Sequence, residues 1–339
     1  MNITTPLLKL LVILILFSVQ NKATAQQKVN AANFVNAETH RHFQSKVDKG
    51  GFGKLIHNRA VISVESQYIR RMNRDTRYSS GIFDLNQPVT VILPEVGNRF
   101  QSMTITNEQH HIKQTIYEPG EYLITKEAVG TRYAQITIRT FVDATSLEDN
   151  KAVSAIQDKI ITKQSAIGHF EIPQWDEASR KETQGHLLGL VKGMMNTKRM
   201  FGDEKEVDPI RHLIGTAAGY GGLNPAHAMY LNVYPEKNDG QTAYVLHVPK
   251  EVPVDAFWSI SVYNKKGYFE KNEFDAYSFN NITAKKNMDG SITIHLGGDA
   301  NQMNYIPITP GWSYNIRMYR PQRVILDGEW RFPAVVRVP

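Results

Sequence analysis

The sequence predicts a mainly β protein, with two sandwich or barrel units joined by a helical connector. Three observations carry this expectation. Between residues 60 and 145, five or six short segments alternate apolar and polar residues at roughly 8–12-residue spacing. From Ala228 onward the same alternation returns, ending near Val338. Between these stretches the apolar residues switch to helical spacing.

Residues 31–47 read as a helix that ends at Gly50-Gly51-Phe52-Gly53. Strands follow at Val61-Ile62-Ser63-Val64, Gly81-Ile82-Phe83-Asp84-Leu85 and Val89-Thr90-Val91-Ile92-Leu93, with Asn86-Gln87-Pro88 and Pro94 to Asn98 as turns. Phe100, Ser102 and Thr104 alternate with Gln101, Met103 and Ile105. Tyr133, Gln135, Thr137 and Arg139 alternate with Ala134, Ile136, Ile138 and Thr140. Such a period of two gives each strand one packed and one wetter face.

The connector opens at Ser146, an N-cap with Asp149 three residues on. Val153, Ile156, Ile160 and Ile167 follow at helical spacing, and Pro173 stops the run. Asp176 caps a second helix with the stripe Leu187, Val191, Met194 and Met195. Asp208-Pro209 opens a third, carrying Ile210, Leu213, Ile214 and Ala217 and closed by the glycines at 219–222. Strands resume at 229–233, 242–248, 257–263, 291–296, 314–320 and 335–338. Asn238-Asp239-Gly240 and Asp289-Gly290 supply turn chemistry. The polar interval 264–281 is too long for a tight hairpin and reads as an Ω-loop over one end of the second unit.

The first 25 residues read as a cleaved leader. A weakly basic start precedes the apolar run LLVILILF at 10–17, and Ala23-Thr24-Ala25 has the small-x-small pattern of a processing site. The run is shorter than the roughly 20 residues that span a bilayer. Export to the periplasm or medium is therefore expected, with no transmembrane anchor after processing. Without Lys9 and Lys22 the chain keeps 37 bases against 33 acids. That mild excess is scattered, which argues against a nucleic-acid partner. Cysteine is absent, which excludes a disulfide framework, a thiolate metal site and a cysteine nucleophile. The expected organisation is a leader at 1–25, a helical lead-in at 26–59, a β unit at 60–145, a connector at 146–224 and a β unit at 225–339.

One segment stands out chemically: Asn73-Arg74-Asp75-Thr76-Arg77-Tyr78, just ahead of a strand. If extended, it puts Asn73, Asp75 and Arg77 on one face and Arg74, Thr76 and Tyr78 on the other. A carboxylate beside a guanidinium suits a small polar or anionic ligand, because an Arg fork holds carboxylate or phosphate bidentately. The candidate binding residues are thus Asn73, Arg74, Asp75, Arg77 and Tyr78. Asp75 and His57 are the candidate general bases should the protein be a hydrolase, with an Arg stabilising negative charge. The opposing expectation is a structural knot, with Asp75 satisfying turn amides. His40 and His42 form an H-x-H pair and His110-His111 another, but a metal site needs three or four convergent ligands, so no metal is expected. No G-x-S-x-G elbow is present, and Gly219-Tyr220-Gly221-Gly222 lacks the strand-to-helix context of a phosphate loop, so no cofactor is expected.

Several motifs together resemble a known pair of families. Gly219-Tyr220-Gly221-Gly222-Leu223-Asn224-Pro225, Tyr230-Leu231-Asn232-Val233, Phe257-Trp258-Ser259-Ile260-Ser261-Val262-Tyr263 and Leu326-Asp327-Gly328-Glu329-Trp330 resemble domain-of-unknown-function family 1214. Asn73 to Ser79, with Gly81 to Leu85 and Pro88-Val89, resembles its N-terminal companion, family 1254. That family more often has Asn-Asp-Thr-Leu-Tyr-Ser, where this chain carries Arg74 and Arg77. The resemblance implies two jelly-roll-like units joined by helices, often exported, and brings no catalytic residues. On these grounds the expected function is ligand binding between the two units. The alternatives are a hydrolase and a structural or partner-binding envelope protein.

Overall fold

The computed structural model describes residues 26–339 apart from Tyr68, Ile69, Lys192, Gly193 and Met195. The expected leader lies outside the described residues, as does Met195. In chain order the elements are α1 (Phe34–Asp48), β1 (Ile56–His57), a 3-10 turn (Val64–Ser66), β2 (Thr76–Asp84), β3 (Val89–Leu93), β4 (Gln101–Asn107), β5 (Ile112–Ile116), β6 (Gly120–Ile124), α2 (Lys126–Val129), β7 (Tyr133–Phe141), α3 (Leu147–Asp158), β8 (Ile161–Gln164), α4 (Glu177–Val191) and α5 (Pro209–Ala218). Then come β9 (Ala228–Val233), β10 (Tyr244–Val248), β11 (Trp258–Tyr263), β12 (Ser278–Asn280), β13 (Ile292–Leu296), β14 (Tyr305–Ile306), β15 (Ser313–Tyr319), α6 (Arg323–Leu326) and β16 (Val336–Arg337).

The strands form four open sheets, antiparallel throughout except where β13 meets β14. In the N-terminal half, β1-β2-β7-β4-β5 and β6-β3-β8 close over one apolar core that includes Phe83, Val91, Met103, Ile105, Ile136 and Ile138. In the C-terminal half, β12-β11-β15-β9 and β14-β13-β10-β16 close over another, with Leu246, Trp258, Ile260, Ile294, Trp312 and Ile316. The expected alternation is what fills these cores: every second residue of β7, β11 and β15 points inward.

Local signals explain the helices. Ser146 Oγ accepts from Asp149 N at 3.1 Å, and Asp208 Oδ1 accepts from Ile210 N and Arg211 N with Pro209 in the first turn. α1, α4 and α5 bury Phe34, Ala37, Leu187, Ile214 and Ala217 against one another. Two expectations need correction. Residues 61–64 form no strand; Ser63 instead caps the 3-10 turn, its Oγ accepting from Glu65 N. The helix from Ser146 stops at Asp158, and the chain turns into β8, which pairs with β3 of the N-terminal half. Ile160 therefore sits in that half's core and Ile167 is exposed, so neither is on the helical stripe.

Candidate functional site

Both central sheets carry polar residues on the face turned away from their own core. On the N-terminal sheet, Tyr78 lies opposite Arg139, and Arg139 opposite Ser102, giving a row across β2, β7 and β4. On the C-terminal sheet, Asn280, Ser259, Arg317 and Tyr230 form a row across β12, β11, β15 and β9. A sheet with a single packed face would leave these residues in water. Instead Ser102, Arg139, Ser259, Asn280 and Arg317 are all buried.

The two halves cover these faces together. The loop ahead of β2 is the wedge between them. Asp75 Oδ1 accepts from Asn280 Nδ2 at 3.1 Å, and Asn73 Nδ2 donates to the Tyr319 hydroxyl at 2.8 Å. Arg317 donates to Ser261 Oγ, to the Tyr263 hydroxyl and to the backbone carbonyls of Arg71 and Met72. Arg139 donates to Thr104 Oγ1 and the Gly221 carbonyl and stands over the Tyr78 ring at 5.6 Å. An aromatic rim seals one side: Phe257 stacks on Tyr319 at 4.3 Å and meets Phe141 and Phe100 edge-on.

The electrostatics follow from that burial. Desolvation pushes the Asp75 carboxyl up, against the pull of Arg317, Ser259, Asn280 and Arg74. Burial also raises the Tyr230 hydroxyl to about 12, opposed by Arg139 and Arg317, and raises Tyr319 well above its ordinary value. Burial disfavours the Arg317 charge, yet Tyr263, Tyr319 and Asp75 hold its guanidinium above the usual value. The seam thus contains two cations, one strained carboxyl and neutral phenols.

On these faces Ser102 Oγ, Asn315 Oδ1 and Thr115 Oγ1 close no hydrogen bond among the described residues, whereas the Ser259 hydroxyl stands beside the Asp75 carboxyl and interacts with it. A buried polar group left unpaired costs about 1–3 kcal/mol.

The structure brings some of the expected residues together and separates others. Asp75, Asn73 and Tyr78 face the seam. Arg74 does not reach it as a free cation: it donates to the Ile62 carbonyl and lies 5.0 Å from the Tyr277 ring centre. Arg77 turns to α3, donating to the Asn150 carbonyl, Asn150 Oδ1 and Ser154 Oγ. The expected pairing of Asp75 with Arg77 on one face therefore does not form, because Asp75 lies just before β2 rather than within it. His57 bonds Ser79 Oγ at 2.7 Å, and Ser79 points to the face of β2 opposite Tyr78. The expectation missed Arg139, Tyr230, Arg317 and Tyr319. Their signal was present, since each is the polar member of an alternating strand, but alternation alone assigns such residues to solvent.

The two histidine pairs do meet, through Tyr220, whose ring stacks on His42 at 3.8 Å and on His110 at 4.3 Å. His40 Nε2 pairs with Glu108 and its Nδ1 accepts from the Trp175 indole. His110 is buried, bonded to Thr216 and to Gly221 N, and burial holds it well below the ordinary imidazole value. Among the described residues no three His, Asp or Glu side chains are placed to hold a metal, and no helix is long and apolar enough to cross a membrane.

Residues 228–323 match the family described as Protein of unknown function (DUF1214), and residues 52–164 match Protein of unknown function (DUF1254), the pair and order that the motifs resembled. No curated protein matches the sequence. The crystal structure of the VPA0106 protein from Vibrio parahaemolyticus is similar, with a TM-score of 0.71 at 16% identity, over 91% of this chain and 98% of that one. An uncharacterized protein from Burkholderia cenocepacia has a TM-score of 0.51 at 10% identity, over 91% and 87%. Likeness at such identities speaks for the fold alone.

Proposed function

We propose that this chain, with its DUF1254 and DUF1214 halves, binds a small polar ligand between the polar faces of its two central sheets. The observation that supports the reading is the buried polar seam itself, where Asp75, Ser259, Asn280, Arg139 and Arg317 are removed from water between the two halves. Burying charged and polar groups is costly unless they are paired, so such a seam is a place for polar recognition. Asp75, Tyr78, Arg139, Tyr230 and Arg317 would contact the ligand. In this reading the two halves are jelly-roll-like units joined through the helices, and the protein is exported after cleavage behind Ala25. Export is checked by N-terminal sequencing of the secreted product, which should begin at Gln26. Binding is checked by melting the protein with a metabolite panel, since a ligand specific for the native state raises the melting temperature. The reading fails if no compound shifts the wild type, or if the shift survives in Asp75→Ala.

A hydrolase reading draws on one specific observation: a buried carboxyl, raised by desolvation, beside Arg317. Asp75 would take a proton from water and Arg317 or Arg139 would face the developing charge. Turnover of an ester, glycoside or phosphate, lost in Asp75→Asn with the fold intact, would favour it over simple binding.

A further inference from the structure

We propose that the imidazoles filed around Tyr220 form an acid-sensitive latch, which holds α5 and the 219–222 segment against α1 and the turn between β4 and β5. The file joins distant parts of the chain. The Tyr220 ring lies between His42 of α1 and His110 of the turn, stacked on them at 3.8 and 4.3 Å. His212 of α5 lies 5.6 Å from His110 and 4.8 Å from His111, centre to centre.

Hydrogen bonds fix the charge that this file tolerates. His110 Nε2 accepts from Gly221 N at 3.0 Å, so its one proton sits on Nδ1 and meets Thr216 Oγ1 at 2.8 Å. A second proton would set N–H against N–H and break the hold on Gly221. The His110 backbone is also committed: its φ of 59° lies in the left-handed region, which a bulky residue keeps only where its surroundings hold it. His212 differs, since both its nitrogens face carbonyl oxygens, Met200 O at 2.8 Å and Gln109 O at 2.9 Å. A charge on His212 works against one on His110 or His111. Glu38 and Arg41 of α1 and Arg180 of α4 face His42, while Lys113, Asp203 and Glu204 face His111. Glu108, on the turn itself, is paired with His40. On balance, burial holds His42 and His110 below the ordinary imidazole value and His111 at about 4. Undocked, the three rings bind protons near the ordinary value; docked, only below it. Protons therefore favour the opened form from about pH 6.5 downward. Opening reaches the seam through Gly221, whose carbonyl accepts from Arg139 at 3.3 Å. The latch stands whether or not the seam holds a ligand.

Amide hydrogen exchange on the full protein, corrected for the intrinsic rate at each pH, tests this from about pH 6.5 to about pH 4.5. Opening of α5 and residues 219–222 should rise at least about a hundredfold across that interval, while β11 and β15 keep their protection. His110→Gln keeps an acceptor for Gly221 but takes up no proton, so it should cut that rise by about tenfold or more. His111→Gln, at a less buried position, should cut it too, and serves if His110→Gln does not fold. His247→Gln, at an exposed position of β10, should leave the rise unchanged. Opening that does not change with pH, or a rise that survives in both His110→Gln and His111→Gln, would overturn the latch. Loss of protection in β11 and β15 in step with α5 would overturn it as well, because the whole chain would then be unfolding.

Discussion

Asn280 Nδ2 donates to Asp75 Oδ1 across 3.1 Å, joining residues 205 positions apart in the chain. The carboxyl belongs to the N-terminal half and the amide to an edge strand of the C-terminal half. The Ser259 hydroxyl is the other group that lowers the Asp75 carboxyl by hydrogen bonding. Asn280→Ala should lower stability by about 1–3 kcal/mol, because it takes the amide donor from a buried carboxyl oxygen. A double-mutant cycle with Asp75→Ala, read by urea unfolding, should give a coupling of about 1 kcal/mol or more. Additive single effects would show that the bond does not tie the halves together.

Asp75 also makes a pH prediction. Its folded-state value is raised by burial, so the native state holds the proton more tightly than the unfolded chain. Stability from this group is present at low pH and falls as pH rises from the ordinary Asp value toward the raised one. Asp75→Asn keeps the shape and removes the buried charge. It should melt at or above the wild-type temperature near neutral pH while losing the ligand-induced shift. A clear loss of ligand-free stability would mean that the carboxylate is structural.

Glu38 has the opposite sign. Burial would raise its carboxyl, but hydrogen bonds from His42 and Arg41, with their charges, hold it at about 2. Arg180 adds a further bond at 2.5 Å. Stability from Glu38 is therefore complete above the ordinary Glu value and is lost as pH falls from there toward 2. The size is on the order of 3 kcal/mol, at about 1.4 kcal/mol per pH unit. Glu38→Gln should flatten that acid limb in a series of melts from pH 5 to pH 2, and an unchanged slope would remove Glu38 as its source.

Gly81 sits where residues 51–54 run alongside β2, tied by Gly53 N to Ile82 O and by Ile82 N to Gly51 O. A Cβ built there would stand 2.1 Å from the Lys54 carbonyl oxygen, a backbone atom that cannot step aside. Gly81→Ala should cost on the order of 3 kcal/mol. Chemical denaturation measures it, and a loss below half that figure would mean the strand and the 51–54 segment separate easily.

Arg77 separates structure from binding. It holds Asn150 and Ser154 of α3, so Arg77→Met should cost about 1–3 kcal/mol of stability. The ligand-induced melting shift should be unchanged in that variant. A variant that is stable but no longer responds to ligand would return Arg77 to the binding site.

Much of the fold could be read from residue pattern. The inward residues Ala134, Ile136 and Ile138, and Ile260, Val262 and Ile316, follow from a period of two, and the caps Ser146 and Asp208 from local hydrogen-bond chemistry. The motifs from Gly219 to Trp330 and those from Asn73 to Val89 resembled the two families that the comparisons match. Less could be read where partners are distant. Ile160 continues the helical spacing of Val153 and Ile156, yet pairing of the next residue, Ile161, with Ile92 makes a strand. Val61, Ile62 and Val64 are β-branched, yet residues 61–64 form no strand and give way to a 3-10 turn.

The sequence alone determined which side chains turn inward, where helices begin, and that no cysteine chemistry is available, because these depend on period, capping and composition within a few residues. Only the tertiary structure decided what happens to the other faces. Arg139 and Arg317 lie on strands separated by more than a hundred residues, and whether their polar rows meet water or each other depends on docking of the two halves. Burial then reverses the meaning of those residues. A serine or carboxyl that would be ordinary at a wet surface becomes, once desolvated, the reason to look for a ligand.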